Sequence, residues 1–233
     1  MRATTFEFRF RVWIITGLIW AAFACSAFDH SRMIGAFTRL FGGPGAWAAE
    51  GFAIACVSGA AWIRTWAAAY LEPEVIHDKR LHSDRLVADG PFRHVRNPLY
   101  LGTLLLGVGF GLLASRTGFV VLNAGLLVFT TRLILREESE LAQTQGGPYR
   151  EYLERVPRWW PSLPPLVPAG GMTPRWPAAI RGEMMFWLFL AAFILRLACA
   201  PFLTAGRQND LFVTVICVAF VARILDRARK PTT

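Results

Sequence analysis

Long apolar blocks constrain this chain more than any other feature. Hydrophobic residues make up 54% of its 233 residues and the mean hydropathy is +0.38, whereas a soluble domain has about 45–50% apolar residues. The excess is concentrated in stretches long enough to cross a bilayer, which takes about 20 residues per helix. The alternating pattern of membrane β-strands is missing from these stretches. The sequence therefore predicts an all-α, polytopic helical membrane protein.

The blocks predict about six transmembrane helices, at residues 10–28, 47–71, 98–115, 117–135, 183–201 and 210–225. Spans three and four follow each other so closely that they should form a tight antiparallel hairpin. We treat residues 1–233 as a single membrane domain. Within it, residues 163–182 form a Pro/Gly-rich linker, and residues 183–233 add two C-terminal membrane helices.

The formal net charge of +9 follows membrane topology rather than nucleic-acid binding. If both termini are cytosolic, seventeen of the arginines and lysines lie on the cytosolic side. The other side then carries only Arg32, Arg39, Arg116 and Arg207. This bias is typical of multi-pass proteins. It predicts an integral protein, of the plasma or inner membrane if bacterial, with both termini and the active site cytosolic and no nucleic-acid partner.

Several common kinds of site are not predicted. Neither a Walker-type phosphate loop nor a dinucleotide fingerprint occurs in a strand–helix setting. The four cysteines, at positions 25, 56, 199 and 217, lie inside apolar spans without metal-ligand spacing. We interpret them as packing residues and predict no metal site.

A first polar motif runs from Asp89 to Gly102 and reads DGPFRHVRNPLYLG. Pro98 suits the first turn of a helix, where its missing N–H costs nothing, and Asn97 is placed to cap that helix. Arg93 and Arg96 either anchor the chain to lipid headgroups or bind a ligand, and position alone leaves both interpretations open.

A second polar motif follows the fourth span and contains three carboxylates close together, at positions 137, 138 and 140. Carboxylates at this end of a helix meet the negative end of its dipole and repel one another. They therefore need a cationic partner, either a protein arginine or a cationic ligand. Tyr149 and Tyr152, three residues apart, share a face if they are helical. Two spans separate the motifs, so both should emerge on the same side of the membrane.

Together the two motifs resemble the integral-membrane methyltransferases typified by isoprenylcysteine carboxyl methyltransferase, with phospholipid N-methyltransferases as relatives. The family pattern is Gly-x-Tyr-x-x-x-Arg-His-Pro-x-Tyr-x-Gly, a membrane hairpin, a Glu-Glu pair, two tyrosines and Val-Pro-Arg. Over a family-like catalytic core at residues 86–161, the matching positions are Gly90, Arg96, Pro98, Tyr100, Gly102, Glu137, Glu138, Leu141, Gly146, Tyr149, Tyr152, Val156, Pro157 and Arg158. The chain departs from the pattern at Phe92, Asn97 and Gln145, where the family has tyrosine, histidine and an aromatic residue.

The resemblance implies an S-adenosylmethionine-dependent methyltransferase with a cofactor pocket at the cytosolic face. Its acceptor would be lipophilic or lipid-attached: a prenylcysteine carboxylate, a phospholipid amine or a small thiol. The resemblance assigns catalysis to Arg96, Asn97 and Tyr100. It assigns cofactor binding to Gly90, Phe92, Arg96, Pro98, Tyr100, Gly102, Glu137, Glu138, Tyr149 and Tyr152. Asn97 cannot titrate near neutral pH, which favours a positioning role there. The acceptor, the oligomeric state and the glutamate that touches the cofactor stay open.

Two alternatives remain at the sequence level. An NADPH-dependent membrane reductase of the sterol type shares an Arg–Asn–Tyr core, but here Leu99 and not Asn precedes Tyr100. A non-enzymatic membrane protein, such as a transporter, should carry ionisable residues near the bilayer midplane. Glu50 is the one carboxylate so placed, and it lies near the outer end of its span.

Overall fold

The computed structural model describes residues 2–71 and 88–229. All the regular secondary structure in these two ranges is helical. The α-helices of these ranges are α1 (Thr5–Arg9), α2 (Arg11–Ala24), α3 (Met33–Phe41), α4 (Pro44–Ala69), α5 (Pro98–Leu113), α6 (Arg116–Thr144), α7 (Gly147–Arg155), α8 (Trp176–Gly182), α9 (Met184–Ala198) and α10 (Ala205–Arg229). Short 3-10 turns lie at Cys25–Ala27 and Gly90–Arg93. No strand occurs in these two ranges, although an isolated antiparallel bridge joins Arg32 to Ser115.

Each predicted span overlaps a helix. In chain order, the six spans overlap α2 with its 3-10 turn, α4, α5, α6, α9 and α10. By length and hydropathy, α4 and α6 are able to cross a membrane. The pair α8 and α9, bent by 64°, makes a third span if it is counted as one. Helix α5 and the segment Arg11–Ala27 are apolar but shorter. The all-helical class is thus confirmed, and the crossing of all six helices stays a prediction.

Some predicted features lie outside the described residues. They are Lys79, Arg80, Arg85 and Lys230 of the cytosolic charge set, and the first two residues of the core at 86–161.

Close packing of α4 against α5 forms one part of the core. Gly109 of α5 lies so near Val57 of α4 that a Cβ on Gly109 would be 2.5 Å from Val57 Cγ2. Small residues allow helix backbones to approach in this way, and the buried face of α4 is rich in alanine.

A cluster of phenylalanines joins the C-terminal helices to the same core. Phe110 of α5 is buried, and its ring centroid lies 5.2 Å from that of Phe189, 5.3 Å from that of Phe193 and 5.9 Å from that of Phe212. The contacts with Phe189 and Phe193 are edge-to-face, a geometry that adds to the free energy of burial. Helices α9 and α10 therefore pack into the core rather than lying apart from it.

Helices α5 and α6 are joined by Ala114 and Ser115 and contact each other along their length. Ser115 is the N-cap of α6, and its hydroxyl accepts a hydrogen bond from the Gly118 amide at 3.1 Å. We call this the connection end of the pair. Helix α6 continues past the predicted span to Thr144 and carries Glu137 and Glu138 beside the start of α5. We call that opposite end the site end.

Candidate functional site

Tyr100 and Glu137 bring the two sequence motifs into direct contact at the site end. The Tyr100 hydroxyl, in the first turn of α5, donates to Glu137 Oε1 at 2.6 Å. Glu137 lies on the part of α6 that extends beyond the apolar stretch. Pro98 occupies the first turn of α5, as predicted.

Glu138, the neighbouring carboxylate, is buried and carries most of the polar contacts. It accepts hydrogen bonds from Arg158 Nη2 at 2.7 Å and from Arg158 Nε at 3.2 Å. Arg96 Nη1 lies 3.5 Å from Glu138 Oε1. The cationic partner that the sequence demanded for the carboxylates is therefore supplied, at Glu138, by the chain's own arginines.

Asn97 contributes to this cluster instead of capping α5. It occupies the N-cap position, but its side chain makes no capping hydrogen bond. Its amide instead donates to Glu138 Oε1 at 3.3 Å. The prediction of a side-chain cap is wrong because the side chain is oriented by its amide nitrogen toward the buried carboxylate, and its oxygen accepts no capping hydrogen bond.

Residues 157–167 run alongside the first motif and hold it in place. The backbone hydrogen bonds are Arg96 N to Pro157 O at 2.9 Å, Ser162 N to His94 O at 3.0 Å and Leu166 N to Arg93 O at 2.9 Å. Farther on, the Asp89 carboxylate accepts from the amides of Gly170 at 2.7 Å and Met172 at 3.0 Å. The first part of the Pro/Gly-rich segment 163–182 therefore packs against the motif.

Tyr149 and Tyr152 share a face of α7, as their spacing predicts. Both side chains are buried and their ring centroids lie 5.8 Å apart. The Tyr152 hydroxyl donates to the Phe92 carbonyl at 2.8 Å, which ties α7 to the 3-10 turn of the first motif. Burial raises the pKa of both phenols well above the ordinary value. Both phenols are therefore protonated at neutral pH, and the Tyr152 hydroxyl serves as a donor.

The glycines predicted to bind the cofactor have packing requirements of their own. Gly90 has φ +54°, and a Cβ there would lie 2.4 Å from the Tyr70 ring. A Cβ on Gly102 would lie 2.4 Å from Cγ of Arg64. Packing alone explains both glycines, and their cofactor contacts stay predictions.

The assignment of site residues from the sequence omitted Arg158 and Arg64. Arg158 ends the Val-Pro-Arg motif, which was the available signal, and the structure places it on Glu138. Arg64 lies inside the apolar helix α4 and donates to Leu99 O and Thr103 Oγ1 of α5, at 2.9 and 3.0 Å. An arginine inside an apolar span is itself a signal of a buried partner.

Comparisons with known proteins agree with the motif assignment. The phospholipid methyltransferase family profile matches residues 49–147, which include α5, α6 and most of α4. Protein-S-isoprenylcysteine O-methyltransferase of Schizosaccharomyces pombe is 30% identical over 91 residues, which are 39% of this chain and 39% of the relative. The chain thus spans well under half the length of that curated relative. No solved structure matches the chain.

The comparisons do not favour the reductase alternative. The matched residues contain Arg96, Tyr100, Glu137 and Glu138, four of the residues on which the resemblance rests. The predicted resemblance is confirmed: residues 49–147 are similar to the phospholipid methyltransferase family, and the chain is similar to an isoprenylcysteine methyltransferase.

Proposed function

We propose that the protein is an integral-membrane methyltransferase that moves a methyl group from S-adenosylmethionine to a lipophilic acceptor. One observation carries the proposal. The Tyr100–Glu137 hydrogen bond and the cluster of Arg96 and Arg158 on Glu138 unite both family motifs at one end of α5 and α6. A polar cluster at the end of two apolar helices suits a water-soluble donor and a membrane-borne acceptor.

The chemistry of the cluster fits this donor, which carries a sulfonium cation, an ammonium group and a carboxylate. In the described part of the chain, Arg96 Nε is buried without a hydrogen-bond partner. Leaving a buried donor unpaired costs free energy, and a carboxylate ligand on Arg96 would remove that cost. Tyr149 and Tyr152 offer aromatic faces, which attract cations.

The two glutamates have different roles in this proposal. Glu138 is already engaged by Arg158, Arg96 and Asn97, so we assign it to positioning those side chains. Glu137, half-buried and oriented by the Tyr100 hydroxyl, is assigned to the ammonium or ribose hydroxyls of the donor. Gly90, Phe92, Pro98 and Gly102 would shape the surrounding backbone, as the resemblance implies.

When bound, the donor supplies a methyl group that a carboxylate, thiolate or amine displaces in line. The chain's own contribution is alignment, which can supply about 7–11 kcal/mol. Arg96 and Glu137 would hold the two ends of the amino-acid portion, and the buried tyrosines would exclude water from the site. Asn97 needs no titratable proton in this scheme, because an ionised or free nucleophile requires little acid–base help.

The proposal places the site end, and both termini, on the cytosolic side of a six-span protein. The positive-inside charge bias and the helix at each predicted span support this topology. The acceptor would come from the bilayer: a prenylcysteine carboxylate, a phospholipid amine or a small thiol.

The test is transfer of radiolabel from methyl-labelled S-adenosylmethionine, by purified protein in lipid nanodiscs, to phospholipids and prenylated peptides. Wild-type protein should label an organic-extractable product, and Glu137→Ala should not. Glu140→Ala is the matched control, because Glu140 lies on the same helix but pairs with Arg136 at 2.7 Å. The proposal is overturned if the wild-type protein neither binds the donor nor transfers its methyl group, or if it binds NADPH instead.

A further inference from the structure

Two largely buried ion pairs join α9 to α4. Arg64 Nε lies 2.7 Å from Glu183 Oε2, and Arg196 Nη1 lies 2.7 Å from Glu50 Oε1. Glu183 immediately precedes α9, Arg196 lies in its last turn, and the partners are in reverse order on α4. The two pairs therefore hold α9 antiparallel to α4. Along the helix axis the pairs are about 20 Å from each other, at 1.5 Å per helical residue.

The two pairs differ in what else they touch. Arg64 Nη1 also donates to the Leu99 carbonyl at 2.9 Å and to Thr103 Oγ1 at 3.0 Å. Both acceptors lie on α5, on either side of Tyr100. Arg196 has no such second connection within the described residues: its Nη1 binds Glu50, and its Nε is buried without a partner.

The backbone of α5 is shaped to receive Arg64. At position 102 only glycine fits without displacing the Arg64 side chain, because any Cβ would lie 2.4 Å from Arg64 Cγ. Glu183 holds the other edge of the guanidinium through Nε and Nη2, at 2.7 and 3.1 Å. The Arg64 guanidinium also lies over the Phe186 ring, 4.1 Å from its centroid. Its orientation is therefore set from three sides.

Buried ion pairs are weak contributors to stability but can specify one arrangement over others. The pair at Glu183 costs the chain two buried charges in an apolar setting. Joining α9 to α4 does not by itself require Arg64, since the Arg196–Glu50 pair also joins these two helices. The additional bonds from Arg64 to α5 are what distinguish the pair at Glu183.

We propose that Glu183 is a positioning residue for the methyl-donor site: through Arg64 it fixes the first turns of α5 and so holds Tyr100 against Glu137. This rests on the proposed function. Glu183 lies outside residues 49–147, so the family match does not reach it. The inference gives the C-terminal helices a role in the site, beyond anchoring the chain.

The test compares Glu183→Gln with Glu50→Gln, the same change at the other ion pair between the same two helices. Both variants lose one buried ion pair, so both should have a lower unfolding temperature. Only Glu183→Gln should also raise the Kd for S-adenosylhomocysteine, by roughly 10- to 100-fold, the scale expected when a misplaced Glu137 loses its hydrogen bond to the ligand. The KM for the acceptor should be unchanged in both.

A second pair of variants keeps the charges and so protects folding. Arg64→Lys preserves an ion pair with Glu183 but lacks the planar fork that binds Glu183 through Nε and Nη2 and α5 through Nη1 at once. It should weaken donor binding, whereas Arg196→Lys should not. Equal donor affinity in the two lysine variants overturns the proposal.

Amide hydrogen exchange decides the inference without any enzymatic activity. Peptides covering residues 97–104 should exchange faster in Glu183→Gln and Arg64→Lys than in the wild type. In Glu50→Gln, their exchange rate should equal that of the wild type. Unaltered exchange in both Arg64 and Glu183 variants overturns the positioning role. If the wild type binds no methyl donor, the proposed function fails, while the exchange comparison still decides whether Glu183 holds α5.

Discussion

The two ends of the α5–α6 pair use polar residues in opposite ways. At the connection end, Asp29 accepts hydrogen bonds from the Thr117 amide at 2.9 Å, the Ser31 amide at 2.9 Å and the Ser31 hydroxyl. Ser115 caps α6 and is 1% exposed. Each of these groups satisfies a helix terminus or a turn.

At the site end the charged side chains exceed what the backbone needs. Glu137, Glu138, Arg96 and Arg158 bind one another or Tyr100, and none of the hydrogen bonds and ion pairs described for them caps a helix. Burying such groups is expensive unless they are paired. The comparison teaches that polar residues alone do not mark a site in this protein. The site is marked by charged side chains that pair with one another and are not needed to cap a helix.

The largest expected effect is that of Glu138→Ala. The change leaves Arg96 and Arg158 without their shared anion, one of them largely buried. We expect the free energy of unfolding to fall by about 3 kcal/mol and donor binding to be lost. Thermal unfolding in detergent and calorimetric titration with S-adenosylmethionine measure both, with Glu140→Ala as control. Wild-type stability together with wild-type affinity would contradict the central role of Glu138.

A smaller effect is expected for Glu137→Gln, which removes the charge and keeps the shape and the Tyr100 contact. Because a hydrogen bond to a charged group is worth about 1.5–3 kcal/mol, the donor Kd should rise roughly 10- to 100-fold. The unfolding temperature should stay near that of the wild type. If the titration gives an unchanged Kd, the contact with the donor belongs to another residue.

At the connection end, Ser115→Ala should affect stability alone. Loss of this N-cap should lower the free energy of unfolding by about 1 kcal/mol, measured by denaturant titration. Donor affinity should not change, because the cap lies at the far end of α6 from Glu137. A clear loss of donor binding would show that the two ends are coupled and would remove the distinction drawn between them.

The smallest effect concerns pH at the connection end. Hydrogen bonds from the Ser31 hydroxyl and the Thr117 amide hold the pKa of Asp29 well below its ordinary value of 3.8. The folded pKa is lower than the unfolded one, so the stabilisation is complete above pH 3.8 and is lost as the pH falls below it. Unfolding temperatures of wild type and Asp29→Asn, followed downward from pH 5, should converge on acidification. Parallel curves would exclude this contribution.

The sequence predicted the helices and the meeting of the motifs well. Apolar blocks of membrane-spanning length have few alternatives to helix, because unpaired backbone groups are costly in an apolar setting. Because α5 and α6 pack against each other from a two-residue connection, the segments flanking the pair lie together. Tyr100 and Glu137 meet for this reason.

The limits of the prediction appear at individual side chains. The predicted fourth span ends at residue 135, yet helix α6 continues to Thr144, since glutamate is a good helix former. Asn97 was expected to cap α5 but binds Glu138. At Asn97, a local capping rule was overridden by a residue distant in sequence.

By itself, the sequence determined the helical class, the positions of the apolar helices and the residue types of both motifs. Only the tertiary structure decided which charge pairs with which: Glu138 with Arg158 and Arg96, and Glu183 with Arg64. Helix positions follow from hydropathy, which adds up along the chain. A buried carboxylate, however, selects among several arginines by distance and desolvation, and these exist only once the helices are packed.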